Sequence, residues 1–153
     1  MDYKKSFKER YGSPIAEPKS EEYFRGKGYV YFRYGVDGGD VIPKDKFIKL
    51  PEVIQKTPDY VLIANQSYFV EVKGCSNILR LKVKDLEYYK FWNGIPGMKL
   101  LFFIYSTHLN DHKQVWFHKI MTMIDENNYE VDRYPDNGKE YYKIPVEDIW
   151  ERK

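Results

Sequence analysis

Two short runs carry the residue types that do chemistry: Thr57-Pro58-Asp59-Tyr60-Val61-Leu62-Ile63 and Tyr68-Phe69-Val70-Glu71-Val72-Lys73. Both are rich in β-formers, and Ala64-Asn65-Gln66-Ser67 joins them, so the pair reads as a β-hairpin. Side chains alternate along a strand, which puts Phe69, Glu71 and Lys73 on one face and Tyr68, Val70 and Val72 on the other. A turn centred between Asn65 and Gln66 sets Asp59 opposite Val72. A three-residue loop shifts the pairing and sets Asp59 opposite Glu71 or Lys73. Opposed Cβ atoms lie roughly 4.5–5.5 Å apart, so in each register Asp59 converges on Glu71. Two carboxylates beside a lysine at a strand end suit a hard cation. Mg²⁺ takes one or two carboxylates and leaves the rest of its shell to water and phosphate. Such a site can polarise a phosphate or activate water, with the lysine stabilising the charge that develops or orienting the attacking water.

The elements that must hold these residues follow from the rest of the chain. Pro18 suits a first helical turn, and the spacing predicts a helix over Lys19 to Lys27 ended by Gly26 and Gly28. Tyr29 to Tyr34 is predicted as a strand. Gly35 to Thr57 is a long connection, with one helical turn expected near Pro51 to Lys56. A helix is predicted over Lys84 to Trp92, with Asp85 at its start and Asn93-Gly94 at its end. Lys99 to Tyr105 and Gln114 to Ile120 read as strands. Tyr129 to Arg133 and Glu140 to Ile144 flank Pro135-Asp136-Asn137-Gly138, a turn-forming tetrad, and so predict a second hairpin. The resulting order is α-β-β-β-α-β, followed by further strands. This is an α/β chain with a hairpin-containing sheet flanked by helices.

Composition bounds the reading. The chain has 153 residues, 42% hydrophobic and 31% charged, which excludes a disordered or fibrous protein and fits one domain. We expect a loose arm over 1–13, a core over 14–105 and a C-terminal strand extension over 106–153. The single cysteine, Cys75, excludes an internal disulfide and a cysteine-based zinc site. The longest apolar run, Leu100 to Tyr105, is too short to cross a bilayer. Met1-Asp2-Tyr3-Lys4-Lys5 is polar, so no signal peptide is expected. The expected setting is cytoplasmic, the host cytoplasm for a viral protein, with no membrane partner. Net charge is only +2. Leu79 to Lys99 nevertheless holds five basic against two acidic residues, and Met121 to Glu140 holds two against six. A basic and an acidic side are expected.

Pro58-Asp59, eleven intervening residues, then Glu71-Val72-Lys73-Gly74 closing a strand resembles the signature of the PD-(D/E)xK nuclease superfamily. The resemblance spans roughly Pro14 to Tyr105 and includes the α-β-β-β-α-β order. In layout the chain is most similar to small Holliday-junction resolvases and phage-encoded nucleases. It implies a restriction-endonuclease-like core with a mixed central sheet flanked by helices, plus extra C-terminal strands. It implies a DNA endonuclease that hydrolyses phosphodiester bonds with Mg²⁺ or Mn²⁺, with junction or branched DNA as a candidate substrate. Asp59, Glu71 and Lys73 become the catalytic set, with Asp59, Glu71 and Val72 at the metal. The family adds an acid from the first helix. Glu17 and Glu21 are both candidates, one helical turn apart on a shared face. Arg80, Lys82 and Lys84 are candidates for holding phosphates.

Other signals are weaker. His108, His112 and His118 lie on or beside strands after the core, and Asn110-Asp111 reads as a turn that breaks a zinc-like spacing. Cys75 has no nearby activating histidine in sequence and reads as inert. Asp37 and Asp40 sit in the long loop and are candidates to approach a cation. Aromatics are 18% of the chain, and the surplus suits base stacking or a homodimer interface. The alternative function is a nuclease-fold module that binds DNA or protein without cutting.

Overall fold

The computed structural model describes residues 13–36 and 42–151. The arm expected at the N-terminus, up to residue 12, and the loop acids Asp37 and Asp40 lie outside the described residues. Helix α1 spans Ser13–Gly26, earlier than the sequence suggested. Pro18 therefore sits inside the helix rather than in its first turn. Ala16 and Ser20, both almost fully buried, anchor these early turns against the sheet. Gly28 adopts φ +70, a left-handed conformation that residues with a Cβ seldom take. It turns the chain into β1, Val30–Arg33.

Two single-turn helices follow, α2 at Lys44–Phe47 and α3 at Glu52–Gln55. The second matches the turn expected near Pro51. Next come β2 (Tyr60–Ile63), β3 (Ser67–Cys75), β4 (Ile78–Lys82) and α4 (Asp85–Asn93). The chain ends with β5 (Lys99–Ser106), β6 (Asp111–Trp116), α5 (Phe117–Asn127), β7 (Val131–Arg133), β8 (Glu140–Pro145) and α6 (Val146–Glu151).

The central sheet has five strands in the order β1-β2-β3-β5-β6. β3 and β5 run parallel, and the other neighbours are antiparallel, so the sheet is mixed. β4, β8 and β7 form a second sheet in that order. The fold is thus mixed α/β, helix-flanked, with extra C-terminal strands.

Alternation sorts the core into two layers. Tyr60, Leu62, Val70, Phe103 and Tyr105 face α1 and pack with its Ala16 and Phe24. Val61, Phe69, Leu100, Phe102 and Ile104 face the other way, toward Leu86, Tyr89 and Trp92 of α4 and Ile120 and Met123 of α5. Both faces of β5 are covered, which is why Leu100 to Tyr105 reads as one continuous apolar run.

Three expectations need correction. β4 was not anticipated, although Leu79 and Leu81 alternate with Arg80 and Lys82 and are both buried. The strand expected over Gln114 to Ile120 ends at Trp116, and a helix takes over at Phe117. Phe117, Ile120, Met123 and Ile124 form one buried helical stripe there. The segment 106–153 is consequently not a strand extension alone: it holds two helices, and its first strand, β6, completes the central sheet.

Phe103 is fully buried, with its ring stacked on His112 at 4.8 Å. Truncating Phe103→Ala should cost about 3–5 kcal/mol. The loss should show as a lower urea midpoint with an unchanged slope.

Candidate active site

The β2–β3 hairpin closes through Ala64, Asn65 and Gln66, and the ladder pairs Tyr60 with Val70 and Ile63 with Ser67. This is a three-residue-loop register, and extending it by one position sets Asp59 opposite Glu71. Asp59 lies just before β2 and is 6% exposed. Its Oδ2 accepts a hydrogen bond from the Val72 backbone N–H at 2.8 Å. Its backbone carbonyl accepts from Tyr34 N–H at 2.8 Å and Gly35 N–H at 3.2 Å. Main chain and side chain together therefore fix this carboxylate.

Glu71 and Lys73 project from the same face of β3, toward α4. Glu71 Oε2 accepts from the Tyr89 hydroxyl at 2.9 Å and lies 3.5 Å from Lys73 Nζ. Its other oxygen, Oε1, is buried and lacks a hydrogen-bond partner among the described residues. A buried carboxylate oxygen with no donor is costly unless something else satisfies it. Lys73 Nζ also sits over the Tyr89 ring, 5.4 Å from its centroid. Burial by itself lowers an ammonium pKa. Here Tyr89, Glu71 and Asp85 outweigh burial and hold Lys73 well above the ordinary lysine value. Burial, then the Glu71 charge, pushes the Tyr89 phenol well above its usual value.

These groups line one cleft of about 360 Å³. Glu17 reaches it from α1, and Arg80 and Lys82 reach it from β4. Asp85 and Lys56 also line it, paired at 3.4 Å. Burial, then the charge of Lys56, lowers the Lys82 pKa.

The sequence-derived candidates thus divide. Asp59, Glu71, Val72, Lys73, Glu17, Arg80 and Lys82 all meet in the cleft. Glu21 is not among its lining residues. Its carboxylate accepts from Tyr60 at 2.6 Å and from Tyr31 at 3.3 Å. Lys84 stands exposed at the start of α4, 3.0 Å from Glu52, and does not line the cleft either.

Two charged cleft residues, Asp85 and Lys56, went unremarked as site residues in the sequence, as did Arg33, which does not line the cleft but pairs with two of its acids. Asp85 was noted only as a helix-start residue, Lys56 lay in the long connection, and Arg33 lay in an aromatic strand. Arg33 Nη1 lies 3.0 Å from Glu17 Oε1, and Nη2 lies 3.7 Å from Asp59 Oδ1. Its guanidinium also stands 5.4 Å over the Tyr60 ring. Burial opposes its charge, but Glu17 and Asp59 outweigh that and raise its pKa.

The histidines do not converge. His112 stacks on Phe103 and contacts Gln114 at 2.9 Å, while His108 and His118 are exposed. Among the described residues no three His, Cys, Asp or Glu side chains group as a metal cluster. No described helix is long and apolar enough to cross a membrane.

No family model matches this chain, and no curated protein matches it. Among solved structures it is similar to a nuclease from a fusselovirus, with a TM-score of 0.48 and 14% identity, over 86% of this chain and 78% of that one.

Cys75 is buried, and burial pushes its thiol up to about 12. At pH 8 the folded protein should resist a thiol-reactive disulfide reagent, and urea should release one reactive thiol per chain. Rapid native labelling would contradict the inert role.

Proposed function

We propose that this protein is a divalent-metal-dependent DNA endonuclease hydrolysing phosphodiester bonds, with junction or branched DNA as its candidate substrate. One observation carries the reading. A single cleft gathers Asp59, Glu71 and Lys73, with Arg80 and Lys82 on its wall. The donor set fits Mg²⁺ or Mn²⁺, which needs one or two carboxylates and completes its shell with water and phosphate. The buried, donor-less Oε1 of Glu71 is the kind of atom such a cation satisfies. When bound, the cation supplies Lewis-acid stabilisation of phosphate charge.

The chain's own groups do the rest. Asp59 is held by Val72 N–H and keeps its place without reorganising. Lys73 stays protonated through neutral pH and presents a fixed positive charge to the phosphate, acting as an electrostatic stabiliser rather than a base. Tyr89 steers the Glu71 carboxylate through its hydroxyl. Arg80 and Lys82 are placed to hold neighbouring phosphates. Glu17 is the helical acid this geometry favours over Glu21, because it lines the cleft.

Purified protein should cleave DNA with Mg²⁺ or Mn²⁺ and fail with EDTA. Supercoiled, linear, single-stranded and four-way-junction substrates separate the substrate classes. Asp59→Asn and Glu71→Gln should each abolish cleavage while circular dichroism stays unchanged. Lys73→Met should lose roughly 10²–10³ in rate, and Lys73→Arg should recover little of it. Binding to DNA without cleavage under every metal condition would favour the alternative, a nuclease-fold binding module.

A homodimer belongs to the same reading, since cutting both strands takes two such clefts. Light scattering at rising concentration should report a dimer. A monomer throughout removes that part.

A further inference from the structure

We propose that Arg33 is a resident counter-cation of the site: it stands beside Asp59 Oδ1, competes with a divalent ion for that carboxylate, and so sets the metal affinity. The inference rests on the metal-dependent reading above, and it concerns a residue that the hairpin motif does not contain.

Asp59 has two oxygens with different neighbours. Oδ2 is engaged by the Val72 amide at 2.8 Å. Oδ1 faces Arg33 Nη2 at 3.7 Å. The oxygen not bonded to the strand backbone is thus the one that faces the guanidinium. The other arm of the guanidinium holds Glu17 at 3.0 Å, the closer contact. Tyr60 lies beneath the group at 5.4 Å from its ring centroid. Arg33 therefore bridges a carboxylate from α1 and one from the start of β2, the two elements that bring their acids to the cleft.

Physical consequences follow from this bridge. A guanidinium does not lose its proton at any working pH, so it cannot leave the site by titration. It leaves Asp59 only by moving, and Glu17 offers it a place to stay. Without a cation in the cleft, the bridge offsets the repulsion between Glu17 and Asp59. With a cation there, two positive charges compete for Asp59 Oδ1, and each weakens the hold of the other. Glu17 then acts through Arg33, as the anchor that keeps the competing charge to one side. Arg33 is a positioning residue in this scheme.

The test is direct metal binding, measured on the full chain by titration calorimetry with Mn²⁺ and no DNA. Arg33→Gln removes the competing charge and should tighten Mn²⁺ binding roughly tenfold, which is about 1.4 kcal/mol. Arg33→Lys retains the charge and should stay near the unmodified protein. Glu17→Gln releases Arg33 onto Asp59 and should weaken binding. In the Arg33→Gln background, the Glu17→Gln change should lose that weakening effect, because its route is gone. A merely structural role predicts the opposite sign, since a loosened site binds metal less well. Unchanged or weaker Mn²⁺ binding by Arg33→Gln, with the far-ultraviolet spectrum intact, overturns the proposal while leaving the metal-dependent reading in place. No Mn²⁺ binding by the unmodified protein overturns that reading instead, and this proposal with it.

Discussion

The hydrogen bond from Val72 N–H to the Asp59 carboxylate is the constraint on which the site depends. The β2–β3 ladder is backbone to backbone from Ile63 down to Tyr60. One residue further, a side chain takes over: Asp59 Oδ2 accepts the Val72 amide at 2.8 Å. The side-chain bond keeps β3 tied to the segment before β2 after regular pairing ends. Glu71 and Lys73 flank the pinned residue, so their direction is set by the same bond. A charge-assisted hydrogen bond of this kind is shorter and stronger than a neutral one. It also gives a buried carboxylate a fixed partner, without which its burial would be costly.

The second support is the layer opposite. β3 has α1 against one face and α4 against the other, and Glu71 and Lys73 both project on the α4 side. Tyr89 stands at the centre of that arrangement. Its ring packs edge-on against Phe102 at 5.2 Å, deep in the core, while its hydroxyl reaches Glu71. The residue that orients the carboxylate is thereby locked by apolar packing, and the orientation is inherited from the core. Lys73 shares the same ring, so one aromatic side chain fixes both charges.

Much of this arrangement is legible in the sequence. Strand periodicity puts Glu71 and Lys73 on one face, because a period of two leaves little freedom, and the hairpin brings Asp59 toward them. The register itself was left among three choices, since loop length decides it and Ala64-Asn65-Gln66-Ser67 admits more than one. β4 was hidden by its charges: Arg80 and Lys82 suit phosphate, while Leu79 and Leu81, which alternate with them and are buried, carry the strand signal. Helix α5 was hidden by its junction with β6, where Val115, Trp116 and Phe117 continue a β-like run across the boundary. Its own stripe, Phe117, Ile120, Met123 and Ile124, becomes clear only when read from Phe117 onward. Arg33, Lys56 and Asp85 were not legible as site residues, because each comes from a different element and no local pattern joins them: Lys56 and Asp85 line the cleft, and Arg33 pairs with two of its acids.

Those three residues alter how the charge of the site is understood. Each cleft carboxylate faces a cation of the chain: Glu17 and Asp59 face Arg33, Glu71 faces Lys73, and Asp85 faces Lys56. These four acids face three cations, which leaves one net negative charge among them, while the whole molecule carries +2. Near-neutrality is therefore no argument against an anionic ligand, because attraction within a cleft depends on local arrangement rather than on the total. Arg80 and Lys82 add positive charge on the β4 wall of the cleft. The lowered pKa of Lys82 reflects burial first and then the crowding of other ammonium groups. An anion entering beside that wall relieves the crowding, whereas a second cation there would add to it. Asp59 and Glu71 come to the cleft from the β2–β3 hairpin, and Arg80 and Lys82 come to it from β4.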